Sequence, residues 1–354
     1  MIGQRLKIAR AASGLSLRAL SEKIDNLVTA QAIGKYERNE AMPGSSVLLA
    51  LAGALGVSVE YLVGDEELVL DGVEFRKHNL TSRKEEAMVE GQTLHLLERY
   101  LMLEELLALP STEWDKPREA PFPVKDVPEA DRAARSLRNH WGLGVEPIPN
   151  MVELFEEHGI KVLPLDLSDI DGLTASVGRK GKPSLPVIAI NRKVWGERQR
   201  FTLSHELGHL IMEIARGTDA EKAANRFAGA FLMPAETLWS EIGKHRTSIS
   251  WGELFDLKRL FGASVQAITY RCRDLGIINQ SLFRELFNAF AEFGWRSPPF
   301  EEPHAMPPEN PKRFERLCYR ALSEKVISEA KAAELLDIPV RELNRRMDSP
   351  PVNE

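Results

Sequence analysis

The stretch RFTLSHELGHLIME at residues 200–213 constrains the fold most, because it combines apolar helical periodicity with the pattern His-Glu-x-x-His. At about 3.6 residues per turn, His205 and His209 project from one face of a helix, one turn apart. That spacing suits two imidazoles that bind one Zn²⁺ ion. Glu206 lies about 100° further around the helix, where its carboxylate can act as general base toward a water molecule on the metal. The motif predicts a helix that carries a zinc site.

A catalytic zinc ion usually has three protein ligands and one open position, so a third ligand is required. The next helical pattern, AEKAANRFAGAFL, offers Glu221, twelve residues after His209. Asn225 stands one turn after Glu221 on the same face, where it can orient an imidazole N–H. Glu213 and Asp219 are the alternative ligands. The motif also occurs by chance on ordinary helices, but burying such polar groups without a role is costly, which favours the metal site.

Proline content and hydrophobic periodicity divide the chain into four parts. Residues 1–64 show short amphipathic helical patterns separated by turn residues. Residues 65–125 are predicted to be a helical connector, with a long helix at about 84–109, and a proline-rich linker. Residues 126–280 mix helices with three predicted strands before the metal-binding helix, and residues 281–354 predict a small α-helical C-terminal module.

Charge and composition restrict the classes of function. A chain of 354 residues with 43% hydrophobic content and net charge −6 predicts a globular protein of two or three domains. Residues 1–64 carry seven Lys or Arg and five Asp or Glu, so a head of net +2 precedes a body of −8, which permits local DNA contact. Cys272 and Cys318 form no CxxC pair and are expected to be inert buried thiols. With no signal-peptide core and no apolar run of about 18 residues, we expect a cytoplasmic protein without a membrane segment.

The residues around the metal motif resemble a known family. RQRFTLSHELGH followed by ExxANRFAGAFLMP is similar to the ImmA/IrrE metallopeptidases, over about residues 130–280. The resemblance implies an α+β zincin-like fold of the gluzincin type. It also implies three zinc ligands and one general acid/base, which are His205, His209, Glu221 and Glu206. The family often has Asp four positions after the third ligand, whereas Asn225 here keeps an acceptor and loses the charge.

The first 64 residues resemble the Cro/C1-type (XRE) helix-turn-helix. The similar segments are GQRLKIARAASGLS at 3–16, IGKYERNEAMP at 33–43 and LAGALGVSVEYL at 51–62. The resemblance implies an all-α domain that binds double-stranded operator DNA with the second helix of the motif in the major groove. A helical protein-interaction module is the alternative, because the basic excess is small.

Position within this motif assigns the predicted DNA contacts. The recognition helix is predicted to begin near Thr29, and Gln31 is the best base reader because its amide can bond adenine bidentately. Lys35 can reach a base or a phosphate, and the start of the preceding helix is placed for phosphates. The residues predicted at DNA are Ser16, Arg18, Thr29, Gln31, Lys35 and Arg38. The chain between the two helices is one residue longer than the commonest form, which leaves the aim of Gln31 open.

These features together predict a bacterial transcriptional regulator that binds a two-fold operator as a homodimer. Its peptidase domain is predicted to cleave a regulatory protein, such as a repressor, in a stress or mobile-element response. Two alternatives stay open: a transcription factor whose peptidase-like domain senses a ligand or partner without proteolysis, and an antitoxin-like autorepressor. Tyr270 is a candidate to stabilise an oxyanion, although its apolar helical pattern favours packing in the core. The segment SEAKAAELLDIPVRELNRRM at 328–347 predicts a second helix-turn-helix or a packing module.

Overall fold

The computed structural model describes residues 2–57, 59–64, 68–77, 82–166, 170–179, 182–297 and 300–348. Five short helices form the head: α1 (Ile2–Ala12), α2 (Leu17–Lys23), α3 (Ala30–Glu37), α4 (Ser45–Leu55) and α5 (Val59–Val63). Ser16 Oγ accepts from the Ala19 N–H and Thr29 Oγ1 from the Ala32 N–H, so both predicted caps begin their helices. The helical head predicted from the sequence is confirmed.

A four-stranded sheet forms the centre of the body, in the order β1-β4-β5-β3. Its strands are β1 (Leu68–Lys77), β3 (Lys161–Leu165), β4 (Ile170–Arg179) and β5 (Lys182–Asn191). Strand β3 runs parallel to β5, and β4 runs antiparallel to both β5 and β1. The three predicted strands are β3, β4 and β5. Strand β1 was not expected, nor was the short parallel pair β2 (Phe122–Val124) and β6 (Met212–Ile214).

Helices cover both faces of this sheet. The helices of the body are α6 (Arg83–Leu106), α7 (Ala130–His140), α8 (Met151–Glu157), α9 (Gly196–Ile211), α10 (Ala220–Leu232), α11 (Ala235–Ile242), α12 (Trp251–Phe261), α13 (Val265–Asp274), α14 (Gln280–Glu292), α15 (Arg313–Ser323), α16 (Glu329–Leu336) and α17 (Val340–Asp348). One core joins Val162, Ile188 and Ile190 of the sheet to α7–α14. The body is therefore a mixed α/β unit, as predicted. No described helix combines the length and apolar character needed to cross a bilayer.

The opposite sheet face is covered by segments that the sequence analysis assigned to other units. A second core joins Leu173 and Val187 of the sheet to α6, α15 and α16. Helix α6, predicted at about 84–109, also packs on the head, where a Cβ on Gly91 would lie 2.6 Å from the Ala12 nitrogen. The description of 65–125 as a helical connector lacked the strand β1. The four domain boundaries themselves stay a prediction.

A proline-rich segment, residues 300–309, crosses the amino-terminal half of α9, and we call it the strap. Glu309 is buried and its Oε1 accepts a hydrogen bond from Arg200 of α9 at 2.5 Å. Glu302 is also buried and its Oε2 accepts from Lys258 of α12 at 3.0 Å. Removing one partner from such a buried pair typically costs about 3–5 kcal/mol, because the other charge stays buried alone. The strap therefore fixes the helix that carries the metal motif.

The two cysteines lie in different cores. Cys272 of α13 and Cys318 of α15 are both buried and both are free thiols. Burial raises the pKa of each thiol to about 12. Since the thiolate is the reactive form, neither side chain is a nucleophile at neutral pH, which agrees with the inert thiols expected from the sequence.

Candidate metal centre and DNA-binding surface

Three side chains meet where α9 faces α10. His205 Nε2 lies 3.0 Å from His209 Nε2, and the Glu221 carboxylate oxygens lie 3.4 Å and 3.5 Å from these two nitrogens. Among the described residues, this is the one group of three or more His, Cys, Asp or Glu side chains gathered closely enough to hold a metal ion. Of the two alternative ligands, Asp219 caps α10 by accepting from a backbone N–H, and Glu213 lies in β6.

The donor set and its spacing fit zinc. Two imidazole nitrogens and a carboxylate oxygen are ligand types that Zn²⁺ takes. Ligand atoms about 2.0–2.1 Å from a tetrahedral zinc ion stand roughly 3.3 Å apart, and the observed separations of 3.0–3.5 Å match this. The three side chains therefore form a site that could hold zinc with little rearrangement.

Asn225 orients the first imidazole. Its Oδ1 lies 3.0 Å from His205 Nδ1. An amide oxygen only accepts, so this contact places the ring proton on Nδ1 and leaves the Nε2 lone pair for a metal. Because Glu221 and Asn225 are one turn apart on α10, a single helix supplies both a ligand and the group that fixes the imidazole tautomer.

Strand β4 holds the carboxylate of Glu206. Thr174 Oγ1 donates to Glu206 Oε2 at 2.6 Å, and the two residues are 3% and 2% exposed. The carboxylate is therefore fixed by a side chain of the sheet. The sequence analysis gave Thr174 no role. The signal that could have identified it was a hydroxyl residue between the apolar Leu173 and Ala175, both of which are buried in β4.

An open cavity of about 1250 Å³ lies over the metal residues, between α9, α10, α13 and the strap. The guanidinium of Arg198 lies 5.1 Å from the Phe300 ring centroid, and that of Arg273 lies 4.8 Å from the Tyr270 ring. Both are cation–π contacts. Tyr270 is 46% exposed at this cavity, so the expectation that it packs in the core was wrong. A concave surface with apolar, aromatic and charged walls suits a peptide chain.

The residues predicted to contact DNA lie around the amino-terminal ends of α2 and α3. Gln31 and Lys35 are exposed on α3, and the described structure gives neither a hydrogen-bond nor an ion-pair partner to them. With Leu17 and Arg38 they border a shallow concavity of about 410 Å³. Ser16 and Thr29 serve as caps, so the exposed N–H groups beside them stay available to a phosphate.

The two arginines of this surface are already paired. Arg38 donates to both carboxylate oxygens of Glu40 at 2.7 Å and 2.9 Å, and this hydrogen bonding lowers the pKa of Glu40. Arg18 donates to Glu22 at 3.1 Å. A phosphate would replace one acidic partner with another, so each arginine gains less from DNA than an unpaired cation would.

The long turn between α2 and α3 has a local explanation. Asp25 and Asn26 both have positive φ, 55° and 54°, a conformation that these residue types tolerate better than others. Ser21 Oγ donates to the Val28 carbonyl at 2.6 Å and closes the turn. The additional residue is therefore absorbed within the turn.

Fold and metal centre together define the class: a helix-turn-helix head joined to a metallopeptidase-like body. Residues 6–62 match the family model described as Helix-turn-helix, and residues 155–273 match Peptidase_M78, the IrrE N-terminal-like domain. The resemblance stated from the sequence is thereby confirmed for both parts.

One curated relative matches the head. The SPbeta prophage-derived uncharacterized HTH-type transcriptional regulator YonR of Bacillus subtilis (strain 168) is 36% identical over 63 residues, which are 18% of this chain and 56% of the relative. The chain thus spans little more than half the length of this relative. No solved structure matches the chain.

Proposed function

We propose that this chain is a transcriptional regulator whose body is a gluzincin-type zinc metallopeptidase that cleaves a regulatory protein, such as a repressor, in a stress or mobile-element response. The observation that carries the proposal is the cluster of His205, His209 and Glu221 beside a buried Glu206, all opening on one cavity. A metal site of three protein ligands, a neighbouring general base and room for a peptide are the parts that hydrolysis requires.

The ligands proposed are His205 Nε2, His209 Nε2 and a carboxylate oxygen of Glu221. Zinc, when bound, acidifies a water molecule and polarises a carbonyl group. Asn225 keeps the proton of His205 on Nδ1, so that its Nε2 stays available as a ligand. Glu221 is 71% exposed at its side chain and reaches the two imidazoles from the rim, which leaves the cavity side open.

Glu206 is proposed to take a proton from the attacking water and to deliver it to the leaving amine. Its Oε2 is held by the Thr174 hydroxyl, which restricts the carboxylate to one orientation. At 2% exposure the carboxylate lies away from bulk solvent. A carboxylate that the protein holds in one orientation contributes more to catalysis than one that solvent water must first reorient. The Arg198–Phe300 and Arg273–Tyr270 contacts are proposed to border the bound peptide chain.

The head is proposed to bind a two-fold operator as part of a homodimer in the cytoplasm. In this arrangement α3 lies in the major groove and Gln31 reads a base. Lys35, Arg18 and Arg38 contact phosphates or the groove edge, and the helix starts capped by Ser16 and Thr29 add backbone N–H donors.

The test joins metal analysis to a comparison of cleavage in cells. Purified chain should contain about one zinc ion, measured by plasma mass spectrometry. Cells that express the wild type or Glu206→Gln are compared by mass spectrometry of protein amino termini. We expect a DNA-binding regulatory protein to gain a new terminus with the wild type alone. Absence of zinc after supplementation, or equal cleavage by Glu206→Gln, would reject the proposal.

A further inference from the structure

Strand β4 lies beside the reactive carboxylate, and both of its edges are occupied. Thr174 bonds Glu206, and two residues earlier a Cβ on Gly172 would lie 3.1 Å from Thr202 Cγ2 of α9. Strand β4 therefore runs along α9 past the metal motif. Strand β5 pairs with one edge of β4 and β1 with the other. A polypeptide cannot add to β4 while both edges are filled.

Strand β1 comes from outside the region that matches the peptidase family. It ends at Lys77, well before residue 155, where the family match begins. In the sequence it lies between the head and α6. It pairs antiparallel with β4, and its backbone at Glu74 stands opposite Thr174. Proteins often bind an extended peptide as an added strand on an open sheet edge, through main-chain hydrogen bonds. Strand β1 makes with β4 the pairing that such a peptide would make.

We infer that β1 occupies the substrate-docking edge of β4, so that the cleft accepts its protein substrate only when β1 leaves. This inference rests on the proposed peptidase function, since it concerns the regulation of that same site. The partner that replaces β1 is an extended segment of a regulatory protein, paired antiparallel with β4 at Thr174. Side-chain contacts in the cavity then add selectivity to a main-chain interaction.

The attachment of β1 suits an exchangeable strand. Its register with β4 shifts at two places, between Asp71 and Glu74 and again at the end of the strand. Gly72, in the first shift, has φ +61°. Leu68 is buried in the core on the far sheet face, whereas Leu70 is half-buried there. Bulges lower the free energy of local opening, so β1 can detach while β4 and β5 stay paired.

The head is linked to β1 through α6. Gln92 Nε2 of α6 donates to the Ala12 carbonyl of α1 at 3.2 Å, and Gly91 lets the two helices approach closely. Arg5 of α1 lies 3.8 Å from Glu98 of α6. Because β1 is placed between the head and α6, a change at the α1–α6 contact acts on both ends of the strand. The docking edge of the peptidase is thereby connected to the DNA-binding head.

A reversible lock on β1 tests the inference. Asp71 and Ser176 are paired across β1 and β4, so the variant Asp71→Cys/Ser176→Cys can join the strands by a disulfide. The full chain also carries Glu206→Gln, so that it cannot cut the probe. The probe is a fluorescein-labelled peptide of residues 68–77, LVLDGVEFRK, and its binding is followed by anisotropy. We expect binding to the oxidised form to be at least tenfold weaker than to the reduced form, with each single-cysteine variant as control.

A second variant tests the same inference without a disulfide. Leu68→Ala/Leu70→Ala weakens the anchors of β1, and it should bind the probe at least tenfold more tightly than the parent chain. If formation of the disulfide fails, as counted by free thiols, this comparison decides. Equal binding in all forms would overturn the inference, and so would tighter binding to the locked form, because the peptide would then add outside β1. Neither result depends on hydrolysis, whereas a lack of zinc would reject the proposed peptidase alone.

Discussion

The head and the body hold their functional side chains in opposite ways. In the head, Gln31 and Lys35 stand exposed on α3 without a partner among the described residues. In the body, His205 and Glu206 are each 2% exposed, and another element holds each of them. A DNA duplex is large and carries its own phosphate charges, so the domain that binds it needs an accessible surface. A hydrolytic site needs groups fixed in place before the substrate arrives, and burial with supporting hydrogen bonds fixes them.

The strongest test of this contrast removes the proposed base. Glu206→Gln should lower the cleavage rate by about 100- to 10,000-fold, because general acid–base catalysis contributes that much. The Gln oxygen can still accept from Thr174, so zinc content and DNA affinity should not change. Rates are measured on the regulatory protein found by terminal proteomics, and operator binding by gel shift. A rate within tenfold of the wild type would assign the base elsewhere.

The interior of the body should also carry an electrostatic cost at a buried carboxylate. Glu156 of α8 is 7% exposed, and burial raises its pKa to about 7, although Lys161 and Arg313 lower it in part. The folded state then holds this proton more tightly than the unfolded state, whose pKa is near 4.5. The free energy of unfolding should therefore fall as pH rises from about 4.5 to about 7, by on the order of 3 kcal/mol.

Glu156→Gln should remove that fall, because an amide does not titrate. Urea unfolding at pH 5 and pH 8 measures the difference for each protein. Glu157→Gln, an exposed position on the same helix, is the matched control and should keep the wild-type pH dependence. If the parent chain were equally stable at both pH values, the buried carboxylate would have a compensating partner.

Metal removal should lower the thermal stability of the body and leave that of the head unchanged. Zinc at about 100 times its dissociation constant would stabilise the folded body by about 2.7 kcal/mol. Glu221→Ala should lose most of that stabilisation, and a chelator should have no further effect on it. Calorimetry with and without zinc measures the shift, with Glu213→Ala as the control for the alternative ligand. A zinc-dependent shift that Glu213→Ala abolishes and Glu221→Ala retains would exchange the two assignments.

Substitution at the DNA surface should affect recognition alone. Gln31→Ala should weaken binding to the operator by about 1–3 kcal/mol and leave thermal stability unchanged, because the side chain is exposed. Arg18→Ala is the comparison: it should weaken binding to all sequences and reduce the salt dependence instead. Footprints at several salt concentrations distinguish the two. An unchanged footprint with Gln31→Ala would place base recognition on another residue.

Local patterns in the sequence were sufficient to predict the parts of the site that lie within one helix or two. The spacing of His205 and His209 depends on helical geometry alone, whereas Glu221 was one of three candidates until the family resemblance favoured it. The structure gathers His205, His209 and Glu221. Thr174 and the strap could not be predicted in this way, because their roles arise from contacts between distant segments. Strand β1 was missed because LVLDGVEFRK becomes a strand by pairing with β4, more than ninety residues later.

The strap implies an order in which the parts of a newly synthesised chain fold. Glu309 stands 109 residues after Arg200, its ion-pair partner on the metal-binding helix. During synthesis the head leaves the ribosome first, and domains generally fold as they emerge. Arg200 stays in water until the strap arrives, since burying its charge without Glu309 is unfavourable. We therefore expect a nascent molecule to have a folded head well before its metal-binding helix is secured.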